Sequence, residues 1–211
     1  MKLYNANLSP FAARCRIQIY AKGLDVALAE PPGGTGSDAY KAINPTGKVP
    51  ALEVDGSVIP ESEVICEFLE DCFSEKSLRP VNQLDRARMR ALAEMCDCYV
   101  VPPLVTLFGQ FPPNEKDAAT IERCMAEIEV GLDRIEAFMG KGPYAVDGEL
   151  TLADCSMAPA FFFAVRVVPA LGGKNPLESR PKLQAWWNAV REDSSVKRVM
   201  DEMRQALAAR R

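Results

Sequence analysis

The chain contains no histidine in 211 residues. That absence removes Ser-His-Asp and Cys-His triads, imidazole general bases, and His-ligated zinc or haem from the chemistry open to it. Long hydrophobic runs are missing too. The longest, 158–165, is far short of the roughly 20 residues that span a bilayer. Residues 1–5, Met-Lys-Leu-Tyr-Asn, lack the apolar core of a signal peptide. A cytoplasmic protein that meets no membrane is expected. Positive charge is in deficit: Lys and Arg number 25 against 29 Asp and Glu, a net charge of -4. No overall basic field therefore draws the chain to nucleic acid.

The seven cysteines are an odd number, and none forms a C-x-x-C pair. Neither a disulfide framework nor a thioredoxin-type dithiol is suggested. Cys96-x-Cys98 has no second ligand pair nearby, so no metal is expected, and most of the thiols read as small core residues. With 48% hydrophobic and 26% charged residues, the remainder is the composition of a soluble globular protein. The length allows one large domain or two small ones.

The first eighty residues alternate between strand and helix patterns. Residues 2–5 read as a short strand. Ser9-Pro10 then supplies an N-cap with proline at the first helical position, opening a helix over 11–22 with Phe11, Cys15 and Ile19 on one face and Gly23 at its end. A second strand is expected at 26–29, a Pro/Gly loop at 31–36 and at most a short helix at 38–43. Segments 49–54 and 57–59 flank Asp55-Gly56, a hairpin signal, and 62–72 has helical spacing. The polar stretch 74–84 reads as a linker. This gives a domain at 1–76, a linker at 77–84 and an all-helical domain at 85–211. In the latter, a long helix at 85–108 is expected to kink near Pro102-Pro103, and Asn114 to cap the next helix. Thr151 and Asp154 have capping-box spacing, and helices follow at 181–190 and 195–209. The Arg210-Arg211 end is expected to be solvated.

Four motifs stand in order: Asn7-Leu8-Ser9-Pro10-Phe11, Asn44-Pro45-x-Gly47-Lys48-Val49-Pro50, Pro60-Glu61-Ser62-Glu63, and Asp147 through Thr151-Leu152-Ala153-Asp154. With them the chain resembles the cytosolic glutathione transferases over nearly its whole length. The likeness is to serine-type, bacterial-like members, with partial likeness to zeta-type and tau-type ones. The resemblance implies α/β plus all-α architecture: a thioredoxin-like βαβαββα domain followed by an all-helical domain. It implies glutathione as co-substrate and no metal, a small hydrophobic electrophile as second substrate, and a homodimer, for which Arg86, Arg88 and Arg90 are available as cross-subunit partners.

Each motif has a physical reading beside that likeness. Val49-Pro50 looks like the family's cis-proline turn, which aims the Val49 backbone at the peptide part of glutathione. Ser62, read as the N-cap of its helix, together with the helix-terminal N–H groups, can hold a carboxylate, and Glu61 can pair with an ammonium. These suit the γ-glutamyl end of glutathione. Lys48 is within reach of the glycine carboxylate, or is simply solvated. Ser9 falls where serine-type members donate a hydrogen bond to the glutathione sulfur. Lowering a thiol pKa by roughly 2 units takes about 2.7 kcal/mol. A charge-assisted hydrogen bond supplies about 1.5–3 kcal/mol and a helix N-terminus about 0.3–2. Those two suffice without a base. The competing reading leaves Ser9 as a helix cap only.

Asn7 is a candidate to bind or polarise the thiol, and Phe11 to line the site. Cys15 would make a thiol-disulfide enzyme, but it lies too far into its helix, on an apolar face, and reads as core. On the long helix, Met95, Tyr99, Pro102, Pro103, Thr106 and Phe108 are candidates for the electrophile pocket. Phe161-Phe162-Phe163 cannot share one helical face and reads as core. Arg166 is a candidate contact for an acidic substrate, with a solvated face as the plainer reading. The expected function is transfer of glutathione to an electrophile. The alternatives are a glutathione-dependent isomerase of maleyl-type acids and a non-catalytic binding module of the same fold.

Overall fold

The computed structural model describes residues 1–209; the Arg210-Arg211 end lies outside the described residues. By packing the chain divides into two compact units, residues 1–78 together with the stretch from Asp193 onward, and Arg79–Glu192.

The first unit follows β1 (Lys2–Tyr4), α1 (Pro10–Lys22), β2 (Ala27–Ala29), α2 (Asp38–Lys41), β3 (Ala51–Val54), β4 (Ser57–Pro60) and α3 (Ser62–Cys72), and it also holds the last helix, α9 (Ser194–Ala208). Its thioredoxin-like sheet has the order β2-β1-β3-β4. β1 is parallel to β2 and antiparallel to β3, and β3 pairs antiparallel with β4. The register is what matters for the site. Tyr4 lies opposite both Ala29 and Ala51, and Ala51 lies opposite Pro60. The segments leaving β1 and β4 and the segment entering β3 therefore meet at one edge of the sheet.

α1 begins where sequence signals place it. The Ser9 hydroxyl oxygen accepts from the Ala12 N–H at 3.2 Å, Pro10 occupies the first turn, and Gly23, at φ +68°, closes the helix by donating to Tyr20. Its burial is not one-sided. Arg14, Arg16, Gln18 and Lys22 are buried along with Cys15 and Ile19, because α3 and α9 both pack against α1. The last helix, which the sequence groups with the helical stretch, thus covers a face of α1.

The second unit contains α4 (Gln83–Met95), a π-helical turn (Cys96–Val100), α5 (Val101–Phe108), α6 (Ala118–Phe138), α7 (Leu152–Ala170) and α8 (Pro181–Val190). The irregularity expected at Pro102-Pro103 lies one turn earlier. Both prolines lack the N–H that an α-helix would aim back at Cys98 and Tyr99, and the Val101 N–H reaches Cys96 instead, widening the turn. Gly131 lets α6 pass close by, since a Cβ there would lie 3.0 Å from the Tyr99 Cβ and carbonyl oxygen. The cap expected at Asn114 is corrected to Asp117, whose carboxylate accepts from Ala119 N–H at 3.1 Å. Asn114 instead donates to the Gly109 carbonyl at 2.9 Å, within the loop that carries Pro112-Pro113.

α7 is the core of this unit, and Phe161, Phe162 and Phe163 are all buried. Phe161 meets Trp186 edge-on at 4.9 Å and Phe163 meets Phe108 at 5.1 Å. By length and composition alone, α7 and the stretch Gln83–Phe108 could each cross a bilayer, which counting consecutive apolar residues misses. In α7, 78% of the apolar window is buried inside the protein, as befits a core helix.

Candidate active site

The edge where Tyr4, Ala51 and Pro60 align collects three of the sequence motifs. From β1 the chain runs through a turn closed by the Ser9 N–H donating to the Ala6 carbonyl at 2.9 Å. Ser9 then caps α1 with an oxygen lone pair. Its own hydroxyl proton has no acceptor among the described residues. Capping and donation to a ligand are therefore compatible at this hydroxyl.

Entering β3, the Val49-Pro50 bond is cis. The residue before it is held firmly: the Lys48 carbonyl accepts from the buried Tyr40 hydroxyl and from Asn44 Nδ2, each at 2.9 Å, and the Lys48 N–H donates to Thr46 Oγ1 at 3.2 Å. Asn44 Oδ1 in turn accepts from the Thr46 N–H and hydroxyl. This clamp on the backbone ahead of Val49 was not visible as a functional feature in the sequence. Burial pushes the Tyr40 phenol above its ordinary value, which keeps it a donor to Lys48. The Lys48 side chain itself is exposed.

Leaving β4, Glu61 takes φ +69°, a conformation uncommon for a residue with a Cβ and costing of order 1–3 kcal/mol. The expected cap at Ser62 is thereby corrected: Glu61 is the N-cap, without a side-chain bond, and Ser62 is the first helical residue. The left-handed turn presents an exposed Glu61 carboxylate beside a buried Ser62. Among the described residues the Glu61 side chain has no partner. The N-termini of α1 and α3 both start from this edge, and each favours negative charge.

The remaining candidates fall as follows. Asn7 is engaged from within: its Oδ1 accepts from Asn5 Nδ2 at 2.9 Å and from Arg16 Nη1 at 3.4 Å, and its carbonyl accepts from Arg16 Nη2 at 2.9 Å. Phe11 is half-buried with the Arg14 guanidinium 5.8 Å from its ring. Cys15 is fully buried, with its thiol donating to the Ser62 carbonyl at 3.6 Å and Cys66 Sγ 3.9 Å away. It is closed inside the α1–α3 seam with no exposed surface. A groove of about 1050 Å³ starts at the Asn7-Leu8 turn and runs past Thr35, Tyr20, Arg198 and Glu202.

In the second unit, Tyr99 lies beneath the Arg134 guanidinium, 4.4 Å from its ring, in a cleft of about 480 Å³ that includes Pro102, Pro103 and Val130. Arg166 folds back on its own helix, donating to the Phe162 carbonyl with its guanidinium 4.0 Å from the Phe162 ring. Arg86 donates to the Pro80 carbonyl and Arg88 pairs with Asp85, each at 3.0 Å. Among the described residues, no group of three or more carboxylates and thiols is arranged to hold a metal ion.

Comparison with known proteins agrees with the fold of both units. Residues 3–77 match the family model for the glutathione S-transferase N-terminal domain, and residues 95–193 the model for its C-terminal domain. A maleylpyruvate isomerase from a Ralstonia species is 34% identical over 75% of this chain and 80% of its own. A maleylacetoacetate isomerase from Pseudomonas aeruginosa is 31% identical over 81% and 84%. Among solved structures, the holo form of a maleyl pyruvate isomerase, described as a bacterial zeta-class glutathione S-transferase, superposes with a TM-score of 0.78. It is 29% identical and covers 94% of this chain and 96% of its own. Fold, motif order and sequence likeness agree across both units, and the chain belongs to the cytosolic glutathione S-transferase family.

Proposed function

We propose that this protein is a glutathione-dependent enzyme that binds glutathione at the sheet edge and delivers its thiolate to an electron-poor carbon of a small electrophile. The observation that carries this is that the segments bearing Ser9, the Val49-Pro50 turn and Glu61-Ser62 leave or enter the sheet at one row, Tyr4, Ala51 and Pro60. In this reading the Val49 backbone pairs with the peptide of glutathione, and Lys48 faces its glycine carboxylate. Ser62 and the α3 N-terminus hold the γ-glutamyl carboxylate, and Glu61 its ammonium. The Ser9 hydroxyl donates to the sulfur, and the α1 N-terminus adds its field. The pair supplies the roughly 2.7 kcal/mol that lowers a thiol pKa by about 2 units.

In conjugation, the sulfur forms a bond to carbon while the leaving group departs with the bonding electrons. Phe11, half-buried in the first turn of α1 two residues after Ser9, borders the place where that carbon arrives. All seven thiols are free, which accords with action in the reducing cytoplasm, and we expect a homodimer.

A second reading is favoured by the three similar proteins described above, each named as an isomerase of a maleyl acid. There the thiolate adds to a cis carbon–carbon double bond, the resulting single bond rotates, and the sulfur is expelled, so glutathione is regenerated. Both readings share the first step and the same residues. Titration calorimetry should give one glutathione per chain, with Ser62→Ala weakening it about tenfold or more if a charge-assisted bond is lost. Absence of heat at millimolar glutathione contradicts both readings. Incubation with aryl halides and with maleyl acids then separates them, because only conjugation consumes glutathione.

A further inference from the structure

Arg16 is a charged residue with no exposed surface, and its guanidinium joins two distant parts of the first unit. Nη1 donates to Glu202 Oε2 on α9 at 2.5 Å, and Nη2 donates to the Asn7 carbonyl at 2.9 Å. Asn7 sits in the turn that the Ser9 N–H closes onto Ala6, so this fork grips the turn from which the Ser9 hydroxyl projects. Glu202 is itself held on more than one side: the Tyr20 hydroxyl donates to its Oε1 at 3.0 Å, and Arg198 Nε approaches the same oxygen at 3.4 Å.

Burying a guanidinium to pair it with a carboxylate that stays 26% exposed is a poor way to gain stability, since an apolar side chain of similar volume would serve as well or better. What such a pair provides is fixed position. A hydrogen-bond donor aimed at a developing or resident anion acts only when held within about 0.5 Å of its productive place.

We propose that Glu202, acting through Arg16 and the Asn7 carbonyl, is a positioning residue for glutathione activation, so that the last helix of the chain sets the aim of the Ser9 hydroxyl. This rests on the reading of Ser9 given above. Glu202 bonds to Arg16, Tyr20 and Arg198, and among the described residues it makes no bond to Ser9. Its loss leaves the peptide-binding elements, the Val49-Pro50 turn and the start of α3, untouched.

The test is an ultraviolet titration of the thiolate of bound glutathione, at saturating glutathione, in four proteins: the parent, Ser9→Ala, Glu202→Gln and the double variant. Glu202→Gln should raise the thiol pKa by about one unit, a tenfold loss of thiolate at a fixed pH below it. Glutathione affinity should stay within about twofold of the parent. In the Ser9→Ala background the same change should add almost nothing, the mark of two residues acting as one. Should Glu202→Gln fail to fold, Arg16→Lys keeps a cation but loses the fork that spans Glu202 and Asn7, and it must give the same upward shift. A shift in Ser9→Ala with none in Glu202→Gln or Arg16→Lys overturns the relay alone. So does a Glu202 effect that adds in full to that of Ser9→Ala. No shift in Ser9→Ala overturns the role of Ser9, and the relay with it.

Discussion

Glu70 is a carboxylate at 3% exposure that accepts from Lys22 Nζ and Gln18 Nε2 at 2.9 Å each, from Ser77 Oγ at 2.7 Å and from the Leu78 N–H at 3.1 Å. Burial pushes its pKa up, but the bonds from Lys22, Ser77 and Gln18 prevail and bring it below the ordinary 4.5. A lowered folded-state value means the stabilisation is complete above 4.5 and is lost as pH falls through that lowered value. Glu70→Gln leaves the Lys22 ammonium buried beside a neutral amide and should cost about 3–5 kcal/mol near neutral pH. Urea unfolding at neutral pH and again in the acid range should show that difference shrinking; a gap independent of pH would contradict the assignment. Periodicity alone misplaces such residues. The spacing picks out only Phe11, Cys15 and Ile19 as an apolar face and gives no sign that Arg14, Arg16, Gln18 and Lys22 are buried, because their partners Glu63, Glu202 and Glu70 lie 48 to 186 positions away along the chain. Local spacing carries no trace of a partner that distant. Ser9, in contrast, was legible, because its cap and its proline are neighbours in sequence.

At the scale of elements, capping signals within one turn were readable and those depending on backbone twist were not. Ser62 is a good capping residue by type, but the left-handed φ of Glu61 advances the helix start by one residue. Asn114 yields to Asp117 because its own side chain is spent on the Gly109 carbonyl within the preceding loop. The start of α7 has the opposite outcome, and the capping box read from Thr151 and Asp154 is present. Asp154 does more than close a helix. Its Oδ2 accepts from the Thr151 N–H at 2.8 Å and hydroxyl at 2.7 Å, and its Oδ1 from the Ala145 N–H at 2.8 Å and Trp186 Nε1 at 2.7 Å. Burial raises its pKa while these four donors oppose the rise. A cap alone is worth about 0.5–2 kcal/mol. Asp154→Ala also strands the Trp186 and Ala145 donors, each at about 1–3 kcal/mol, so a total loss of about 3 kcal/mol or more is expected in thermal or urea unfolding. An unchanged melting temperature with lost turnover would instead make Asp154 a site residue.

For the whole molecule, the order βαβαββα followed by helices was legible because each switch from strand to helix carries its own turn chemistry. The packing of α9 on α1 was not, since it pairs the two ends of the chain through single side chains. Association also belongs to this scale. Exposed Tyr99 and Val130 share a cleft in the second unit, and sedimentation at micromolar concentration should give twice the 23.2 kDa of the chain; the mass of one chain would contradict a dimer. Turnover tests the central claim most directly, through the pH–rate profiles of the parent, Ser9→Ala and Cys15→Ala with glutathione and a reactive electrophile. If the Ser9 hydroxyl stabilises the thiolate, Ser9→Ala should lose about 10²-fold or more in rate near neutral pH, as 2.7 kcal/mol requires. Its profile should move upward and the rate recover at high pH, while Cys15→Ala stays near the parent. An inactive Cys15→Ala beside an active Ser9→Ala with an unshifted profile would contradict the account and make this a thiol-disulfide enzyme.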